Sequence, residues 1–385
     1  AAEPQSIATT PVDTVIGVGA IQPFTATATF SDATTGRLSN ATIAAGFNHT
    51  CVLQVDGFVQ CWGQNGSGQL GNFSTSDAPT PVTANAAGNA VAVTAGGDHS
   101  CLLESDGTVR CWGRNDSGQV GNGTTAGQTS PVLVSGLSAS TVIALSAGAS
   151  HTCALFAAGS VKCWGANNAG QLGNGTLANA STPVTVSGIT TAIAIAAGGN
   201  HSCAALASGT VQCWGADGSG QLGNGAAGAS TTPTNVTGLS NAVAVTSGFD
   251  HSCALLAGGT IKCWGLNLEG QLGDGSFVSR PTPVPAATQL ITRKVAVSAG
   301  TGHTCAVAEG GLAVCWGGNG NGQVGNGTVV GTFPNPVAVS GLNPTNGLDP
   351  TPIAVATGFA HSCALLADGR VRCWGRNDNG QLGAG

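Results

Sequence analysis

The chain has 385 residues, of which only 7% are charged, while glycine alone occupies 62 positions. Lys and Arg number 11 against 17 Asp and Glu, so no basic stripe is available to neutralise phosphates, and nucleic acid is not an expected partner. Polar and glycine residues interrupt every apolar run, so no membrane span is predicted.

Residues 1–15 are predicted to form a strand around Thr10-Pro11-Val12. A Thr-Pro-Val-like segment also follows each of the first six repeats described below, and the chain reaches Gly385 without one after the seventh. We therefore expect the N-terminal strand to complete the seventh unit and to close a ring, which protects its sheet edges. The alternative is that this strand is exchanged with a neighbouring molecule.

Residues 16–40 are a predicted insertion that forms a strand or hairpin, because apolar and polar residues alternate over residues 22–32. One hypothesis is that this segment forms an extra hairpin that packs on the first of the repeats described below. The other is a strand that pairs with a neighbouring molecule and produces filaments if the contact does not close. The low charge favours assembly, since a buried surface needs no charge for solubility. The candidate assembly residues are Thr10, Pro11, Val12, Phe24 and Phe30.

Residues 41–385 contain seven repeats of about 50 residues, in which a Cys lies two positions after each His. A second Cys follows ten positions later and is followed directly by Trp-Gly, so the pattern accounts for all 7 His, 14 Cys and 7 Trp. A period near 50 with few helix formers predicts an all-β, seven-bladed β-propeller. The predicted repeats cover about 41–90, 91–141, 142–192, 193–242, 243–293, 294–351 and 352–385.

The two Cys of each repeat are predicted to face each other across a hairpin whose three-residue turn ends in Gly, as at Gly57. This register places Cys51 and Cys61 about 4.5 Å apart at Cα, which a disulfide can span. Zinc is the competing interpretation, but no fourth ligand recurs. Paired cysteines predict an oxidising, extracellular or cell-surface location. The predicted disulfides are Cys51–Cys61, Cys101–Cys111, Cys153–Cys163, Cys203–Cys213, Cys253–Cys263, Cys305–Cys315 and Cys363–Cys373.

Three further segments complete each of the first six repeats, and the seventh has the first two of them. A run of small and β-branched residues before each His predicts the innermost strand, since small side chains let seven strands crowd around a channel. A polar turn of the type Asn-x-x-Gly-Gln-Leu-Gly follows Trp-Gly, and the Thr-Pro-Val-like segment predicts an edge strand, where Pro is tolerated.

The segment at 361–383 reads His-Ser-Cys-Ala-Leu-Leu-Ala-Asp-Gly-Arg-Val-Arg-Cys-Trp-Gly-Arg-Asn-Asp-Asn-Gly-Gln-Leu-Gly and resembles the repeat of the regulator of chromosome condensation family. The resemblance covers roughly 345 of the 385 residues and implies a seven-bladed propeller. The paired Cys resemble the variety of this repeat found in secreted bacterial proteins. The family includes an exchange factor for a small GTPase, but the chain lacks the basic tail and free thiols that this role suggests.

A secreted bacterial relative inhibits β-lactamase through one propeller face lined with aromatic residues. This chain has no Tyr, and each Trp belongs to the repeat pattern, so Phe residues are the remaining candidate anchors for such a face. They are Phe24, Phe47, Phe73, Phe249, Phe277 and Phe359.

No catalytic, metal or cofactor site is predicted. The segments beginning at Gly66, Gly218 and Gly320 match a dinucleotide-binding fingerprint, but no helix or βαβ unit surrounds them, so their glycines are interpreted as turn residues. A His that recurs at one position in seven repeats is interpreted as a packing and hydrogen-bonding residue. The acidic residues show no paired spacing that would suggest general acid–base catalysis.

Asn-x-Ser/Thr sequons are candidate glycosylation sites on exposed turns of a secreted protein. They occur at Asn65, Asn72, Asn115, Asn122, Asn174, Asn179 and Asn326.

The sequence thus predicts an extracellular, non-catalytic propeller scaffold whose partner is another protein, including copies of itself, and not a small-molecule substrate. In this interpretation the N-terminal strand drives assembly into a filament or surface layer. The alternative function is a secreted binder or inhibitor that uses one propeller face. An exchange factor for a GTPase is the remote alternative.

Overall fold

The computed structural model describes residues 42–137, 141–287, 294–342 and 351–385, together with the backbone of three N-terminal strands. Within these residues the regular elements are β-strands, which confirms the all-β prediction. None of the described residues forms a helix long and apolar enough to cross a membrane.

The N-terminal strands are β1 (Pro4–Thr10), β2 (Thr25–Phe30) and β3 (Thr35–Leu38), which pair antiparallel in the order β1-β2-β3. The strand predicted within residues 22–32 is therefore present as β2. Its register pairs Ile7 with Ala28 on one side and Ala28 with Gly36 on the other. Since β1 pairs with β2, closure of the ring by the N-terminal strand is not part of the described pairing and stays a prediction.

The remaining strands form seven separate sheets, one for each repeat. Blades one to four consist of β4 (Ile43–Ala45), β5 (His49–Leu53), β6 (Val59–Gly63), β7 (Ala78–Thr83); β8 (Ala90–Ala95), β9 (His99–Glu104), β10 (Val109–Gly113), β11 (Gln128–Leu133); β12 (Val142–Ala147), β13 (His151–Phe156), β14 (Val161–Gly165), β15 (Ala180–Thr185); β16 (Ala192–Ala197), β17 (His201–Leu206), β18 (Val211–Gly215) and β19 (Ser230–Asn235). Blades five to seven consist of β20 (Ala242–Ser247), β21 (His251–Leu256), β22 (Ile261–Gly265), β23 (Arg280–Pro285); β24 (Lys294–Ala299), β25 (His303–Ala308), β26 (Ala313–Gly318), β27 (Thr332–Ala338); β28 (Pro352–Thr357), β29 (His361–Leu366) and β30 (Val371–Gly375).

The strands of each blade follow one another in space as an antiparallel meander. The first strands of all seven blades line a central cavity of about 270 Å³, as the small-residue runs predict. The Pro-containing fourth strands lie on the outer edge of blades one to six. Blade seven has three strands among the described residues, and its third strand, β30, is half-buried along its length, whereas the third strands of the other blades are mostly buried.

All seven predicted disulfides are present, one in each blade. The paired Cys residues lie directly opposite each other in the register of the second and third strands, with Cα atoms 4.0–4.1 Å apart. The turn glycines between these strands, such as Gly57 with φ of 83°, adopt the left-handed conformation that the three-residue loop requires. Each crosslink closes a short loop and contributes about 3 kcal/mol in the chain-entropy treatment.

The hydrophobic core lies between neighbouring blades. In one cluster Leu103, Val109 and Val120 of blade two pack against Ala154 and Trp164 of blade three. Every blade therefore needs a neighbour to bury its Trp, because an isolated four-stranded sheet leaves both of its faces uncovered.

A circle of backbone hydrogen bonds joins the blades around one mouth of the channel. In each blade the residue two positions before the His donates its N–H to a carbonyl of the next blade, and Phe359 of blade seven donates to Phe47 of blade one at 3.3 Å. The ring is therefore closed at the level of its innermost strands. The other six bonds are Phe47 to Gly97, Gly97 to Gly148, Ala149 to Gly198, Gly199 to Gly248, Phe249 to Gly300 and Thr301 to Gly358.

Candidate protein-docking face

The seven histidines form the junctions between blades. Each is fully buried, and its Nε2 lies 2.8–2.9 Å from a Ser or Thr hydroxyl of the next blade. That hydroxyl in turn donates to the carbonyl of a Gln in the preceding blade, as Ser202 does to Gln171 at 2.9 Å. The imidazole must therefore donate through Nε2, which leaves Nδ1 without a partner in all seven rings.

Burial lowers the pKa of the histidines to about 3 in blades one, two, four, five and seven, and to about 4 in blades three and six. The rings are neutral at physiological pH and serve as fixed hydrogen-bond donors. This confirms the packing and hydrogen-bonding role predicted for them.

The Gln carbonyl also accepts the indole N–H of the next blade's Trp at 2.8–2.9 Å, as for Trp264 and Gln221. The glycine that follows in the Gly-Gln-Leu-Gly turn touches this indole: a Cβ on Gly223 would lie 2.6 Å from Nε1 of Trp264. Gly223 also has φ of 68°. The glycines of the fingerprint-like motif are thus turn and contact residues, as predicted.

One face of the ring presents two sets of loops. Because each blade is an antiparallel meander, the loop from the first to the second strand and the loop from the third to the fourth strand emerge on the same side. We call this side the loop face, and the other side the opposite face.

Three aromatic rings meet at the centre of the loop face, over the channel mouth. The ring of Phe47 lies 6.0 Å from that of Phe249 and 6.0 Å from that of Phe359, measured between centroids. The three rings come from blades one, five and seven. The equivalent positions in blades two and four are Gly97 and Gly199, where an added Cβ would lie 3.1 Å from the ring of Phe47 and of Phe249, respectively. Phe359 is 42% exposed, so the cluster is open to solvent.

Exposed apolar side chains surround this centre on the loops between the third and fourth strands. Phe73 is 66% exposed and has φ of 64°, the one left-handed non-glycine conformation among the described residues. The six other blades all have Gly at this position, from Gly123 in blade two to Gly385 in blade seven. The other exposed apolar residues of these loops are Leu177, Leu268, Phe277, Val278, Val329 and Val330.

The loop face is acidic. Among the described residues this face has three cations, and all are in ion pairs: Arg114 with Asp98 and Asp116, Arg280 with Asp274, and Arg376 with Asp378. Burial raises the pKa of Asp250, which has no cationic partner among the described residues. The eight carboxylates of this face are Asp77, Asp98, Asp116, Asp217, Asp250, Glu269, Asp274 and Asp378.

The opposite face is balanced in charge. Its described side chains include five acidic and five basic residues, so the excess negative charge of the described blades lies on the loop face. They are Asp56, Glu104, Asp106, Glu309 and Asp368, with Arg110, Lys162, Lys262, Arg370 and Arg372.

The structure shows on which face of the propeller the predicted Phe candidates lie. Phe47, Phe73, Phe249, Phe277 and Phe359 all lie on the loop face, which the sequence alone could not establish. Of the predicted assembly residues, Thr10 and Phe30 lie in β1 and β2. Phe24, Pro11 and Val12 lie outside the described residues.

Two of the seven predicted sequon Asn residues are buried in the folded chain, and glycosylation stays a prediction at all seven. Asn65 and Asn115 are fully buried, and the Nδ2 of each donates to three oxygens of its own loop. A glycan on that nitrogen would displace these bonds. The other five sequon residues are Asn72, Asn122, Asn174, Asn179 and Asn326.

The fold and the surface together define a seven-bladed propeller with one disulfide inside each blade, of the kind that supports protein–protein interaction. The family model described as the RCC1-like domain matches residues 21–347, and the model of the regulator of chromosome condensation (RCC1) repeat matches residues 353–381. The chain belongs to the RCC1-like domain family.

Sequence relatives match over short segments. The human probable E3 ubiquitin-protein ligase HERC6 is 37% identical over 105 residues, which cover 27% of this chain and 10% of the relative. The ultraviolet-B receptor UVR8 of Arabidopsis thaliana is 33% identical over 107 residues, which cover 28% of this chain and 23% of the relative. The matched segments thus span less than a quarter of either relative.

Solved structures confirm the fold. Human WBSCR16 matches with a TM-score of 0.75 and 22% identity, covering 86% of this chain and 88% of the other. Yeast RCC1 (Prp20), crystallised with Kap60, matches with a TM-score of 0.74 and 21% identity, covering 90% and 82%.

Proposed function

We propose that this chain is an extracellular, non-catalytic scaffold that docks a partner protein on its loop face. The RCC1-like propeller fold supports a protein-interaction scaffold, and yeast RCC1 was crystallised with a protein, Kap60. Seven disulfides support an oxidising compartment. The buried, neutral histidines leave no exposed general base among the seven, which supports a role in binding rather than catalysis.

Phe73 is the observation that carries this proposal. A left-handed conformation costs a non-glycine residue on the order of 1 kcal/mol, and the six other blades avoid this cost with Gly. An aromatic side chain that is 66% exposed recovers little of this cost within the chain. Large aromatic residues are the usual anchors of protein interfaces, so contact with a partner would account for Phe73.

The partner should present a basic surface with an apolar anchor. Every Arg of the loop face already pairs with a carboxylate, so Asp250 and Glu269 are free of cationic partners among the described ion pairs. An acidic surface attracts basic partners and repels a second copy of itself. The Phe47–Phe249–Phe359 cluster offers the apolar centre.

The test is selection of binders from a displayed peptide library on the immobilised protein, followed by measurement of each binder on two variants. Phe73→Gly introduces, on the loop face, the residue that the other blades have at this position. Phe58→Ser is the control, because Phe58 is 42% exposed but lies in a turn of the opposite face. We expect Phe73→Gly to weaken binding at least tenfold and Phe58→Ser to leave it unchanged, and we expect the binders to be basic. The reverse pattern would place docking on the opposite face and refute the proposal.

We also propose that the N-terminal strand adds to the outer edge of blade seven, in its own chain or in a neighbouring copy. The support is the half-buried β30, which has no fourth strand beside it among the described residues. A strand added there would bury Val371 to the extent of its equivalents in other blades.

Deletion of residues 1–30 tests strand addition through the mass in solution and the melting temperature. Loss of a large assembly would indicate exchange between copies, and a lower melting temperature of a monomer would indicate addition within the chain. Equal mass and equal melting temperature for the full and shortened chains would refute both.

A further inference from the structure

The loop between the third and fourth strands is built around a buried Asn. In blade three the Nδ2 of Asn167 donates to Oδ1 of Asn174 at 3.3 Å and to the carbonyls of Thr176 and Ala178 at 3.0 Å, while its Oδ1 accepts the N–H of Leu172. The same three acceptors, seven, nine and eleven positions later, surround the Nδ2 of Asn65, Asn115 and Asn267.

Blade four has Asp217 at this position. Its Oδ1 accepts the N–H of Leu222 at 3.0 Å, as the Asn oxygen does elsewhere. Oδ1 of Asn224 accepts the N–H of Ala226 at 2.9 Å, the counterpart of the Thr176–Asn174 bond in blade three. From Asp217 to Ala226 the loop therefore keeps the hydrogen bonds of the other blades although its central residue has changed. Gly228 differs, because its φ of 112° is not shared by the residues at its position in those blades.

The second carboxylate oxygen of Asp217 occupies the place of the amide nitrogen. Asp217 is only 4% exposed, and its Oδ2 has no hydrogen-bond partner. The repeat spacing directs two oxygens to this place: Oδ1 of Asn224 and the carbonyl of Ala226, the counterparts of the acceptors at Asn174 and Thr176 in blade three. A carboxylate that faces other acceptors in a buried site is unfavourable unless a positive charge or a proton lies between them.

Blade five shows how a carboxylate in such a loop is balanced by the chain itself. Asp274 accepts a bond from Asn267 at 3.1 Å and pairs with Arg280 at 3.1 Å. In blade four Ser230 stands where blade five has Arg280, and no described ion pair involves Asp217. Burial raises the pKa of the Asp217 carboxyl, which is the direction expected for a carboxylate without a cation.

We infer that blade four binds a calcium ion at Oδ2 of Asp217, with Oδ1 of Asn224 and the carbonyl of Ala226 as further ligands. These are hard oxygen donors from a short irregular loop, the set that Ca²⁺ accepts, whereas Mg²⁺ requires near-octahedral geometry and Zn²⁺ prefers nitrogen and sulfur. The loop residues after Asn224 are exposed, so water can complete the coordination. With one carboxylate, the dissociation constant should fall at about 10⁻⁴ to 10⁻³ M.

The test compares the full chain with Asp217→Asn, which restores the residue of the other repeats and so should fold. Melting temperatures are measured at pH 7.5 with a chelator, with 5 mM CaCl₂ and with 5 mM MgCl₂. Ca²⁺ should raise the melting temperature of the unsubstituted chain by about 1–3 °C, Mg²⁺ should have a smaller effect, and Asp217→Asn should respond to neither. In the chelator, Asp217→Asn should melt higher than the unsubstituted chain.

Two further measurements separate a cation from a proton. Titration calorimetry with CaCl₂ should reveal one site, which persists in Asp274→Asn, a carboxylate change in the neighbouring loop, and disappears in Asp217→Asn. The opposite outcome is that CaCl₂ produces no measurable heat and no thermal shift, while acidification to pH 5 alone raises the melting temperature of the unsubstituted chain relative to Asp217→Asn. The carboxyl would then be protonated, and the calcium site would be refuted.

Discussion

His361 of blade seven and Thr50 of blade one lie 311 positions apart in the chain and are joined by a hydrogen bond of 2.9 Å between Nε2 and Oγ1. Thr50 also donates to the carbonyl of Gln381 at 3.0 Å, and the indole of Trp62 donates to the same oxygen at 2.9 Å. The junction between the last and first blades therefore has the same side-chain contacts as the six others, and it does not depend on a fourth strand in blade seven.

Replacement of Thr50 by Val should destabilise the chain by about 1–3 kcal/mol, because the buried Nε2–H of His361 loses its acceptor without a change of side-chain shape. Thr152→Val, at the junction of blades two and three, is the matched control, since Thr152 has the same partners there. Urea denaturation should give similar losses for the two variants. A loss at Thr152 with none at Thr50 would mean that the ring is not closed at this junction.

Stability should fall steeply on acidification. The folded histidines have a pKa of about 3 or 4, whereas in the unfolded chain the value is near 6.5, so below pH 6.5 the unfolded state binds more protons. Each histidine then costs about 1.4 kcal/mol per pH unit until its folded pKa is reached. Above pH 6.5 this contribution to stability is fully present.

Melting temperatures at pH 8.5, 7.5 and 5.0 check the histidine prediction. They should be nearly equal at the two higher values and clearly lower at pH 5.0. A histidine ring that titrates near pH 6.5 in NMR spectra of the folded chain would contradict the buried, neutral state.

The Gly before each channel-mouth residue is expected to tolerate no side chain. A Cβ on Gly198 would overlap the ring of His201 and lie 2.5 Å from the carbonyl of Gly248 in the next blade. Gly198→Ala should therefore cost about 1–3 kcal/mol through overpacking. Gly258→Ala is the control, because nothing lies within 4 Å of its Cβ position. Equal stability of the two variants in thermal denaturation would show that neighbouring blades are not in close contact.

Phe73→Gly should stabilise the chain by about 0.5–1 kcal/mol, since Gly adopts φ of 64° without strain, partly offset by its greater unfolded-state entropy. Phe277→Ala, another exposed ring on the loop face, should change stability by less than about 0.5 kcal/mol. Denaturation curves of the two variants measure this difference. A destabilised Phe73→Gly would mean that the ring packs within its own chain and would remove the main support for docking there.

The repeat, the hairpins and the disulfides could be predicted because their partners are close in sequence. Cys203 and Cys213 are separated by one hairpin, so spacing and turn type determine their contact. The Ser or Thr after each His and the Gln of each turn also recur visibly. Their partnership was missed because it joins different blades, and which blade faces which is a property of the closed ring.

The same limit applies to the candidate site. Phe47, Phe249 and Phe359 meet only because their blades surround one axis, so the sequence could propose each ring but not the cluster. At Asn65 the sequon is correctly recognised, yet the amide is consumed by loop carbonyls that local sequence does not reveal. In the sequence Asp217 is one Asp among seven repeats that otherwise have Asn, and only the structure shows that its second oxygen is buried without a partner.

The most direct test of a closed propeller with one crosslink in every blade is peptide mapping of the unreduced chain after thiol alkylation. Seven linked peptides should be found, each joining Cys residues ten positions apart, with no alkylated Cys. Alkylated Cys residues, or a peptide that joins Cys residues of two different blades, would contradict both the blade structure and the extracellular role proposed for it.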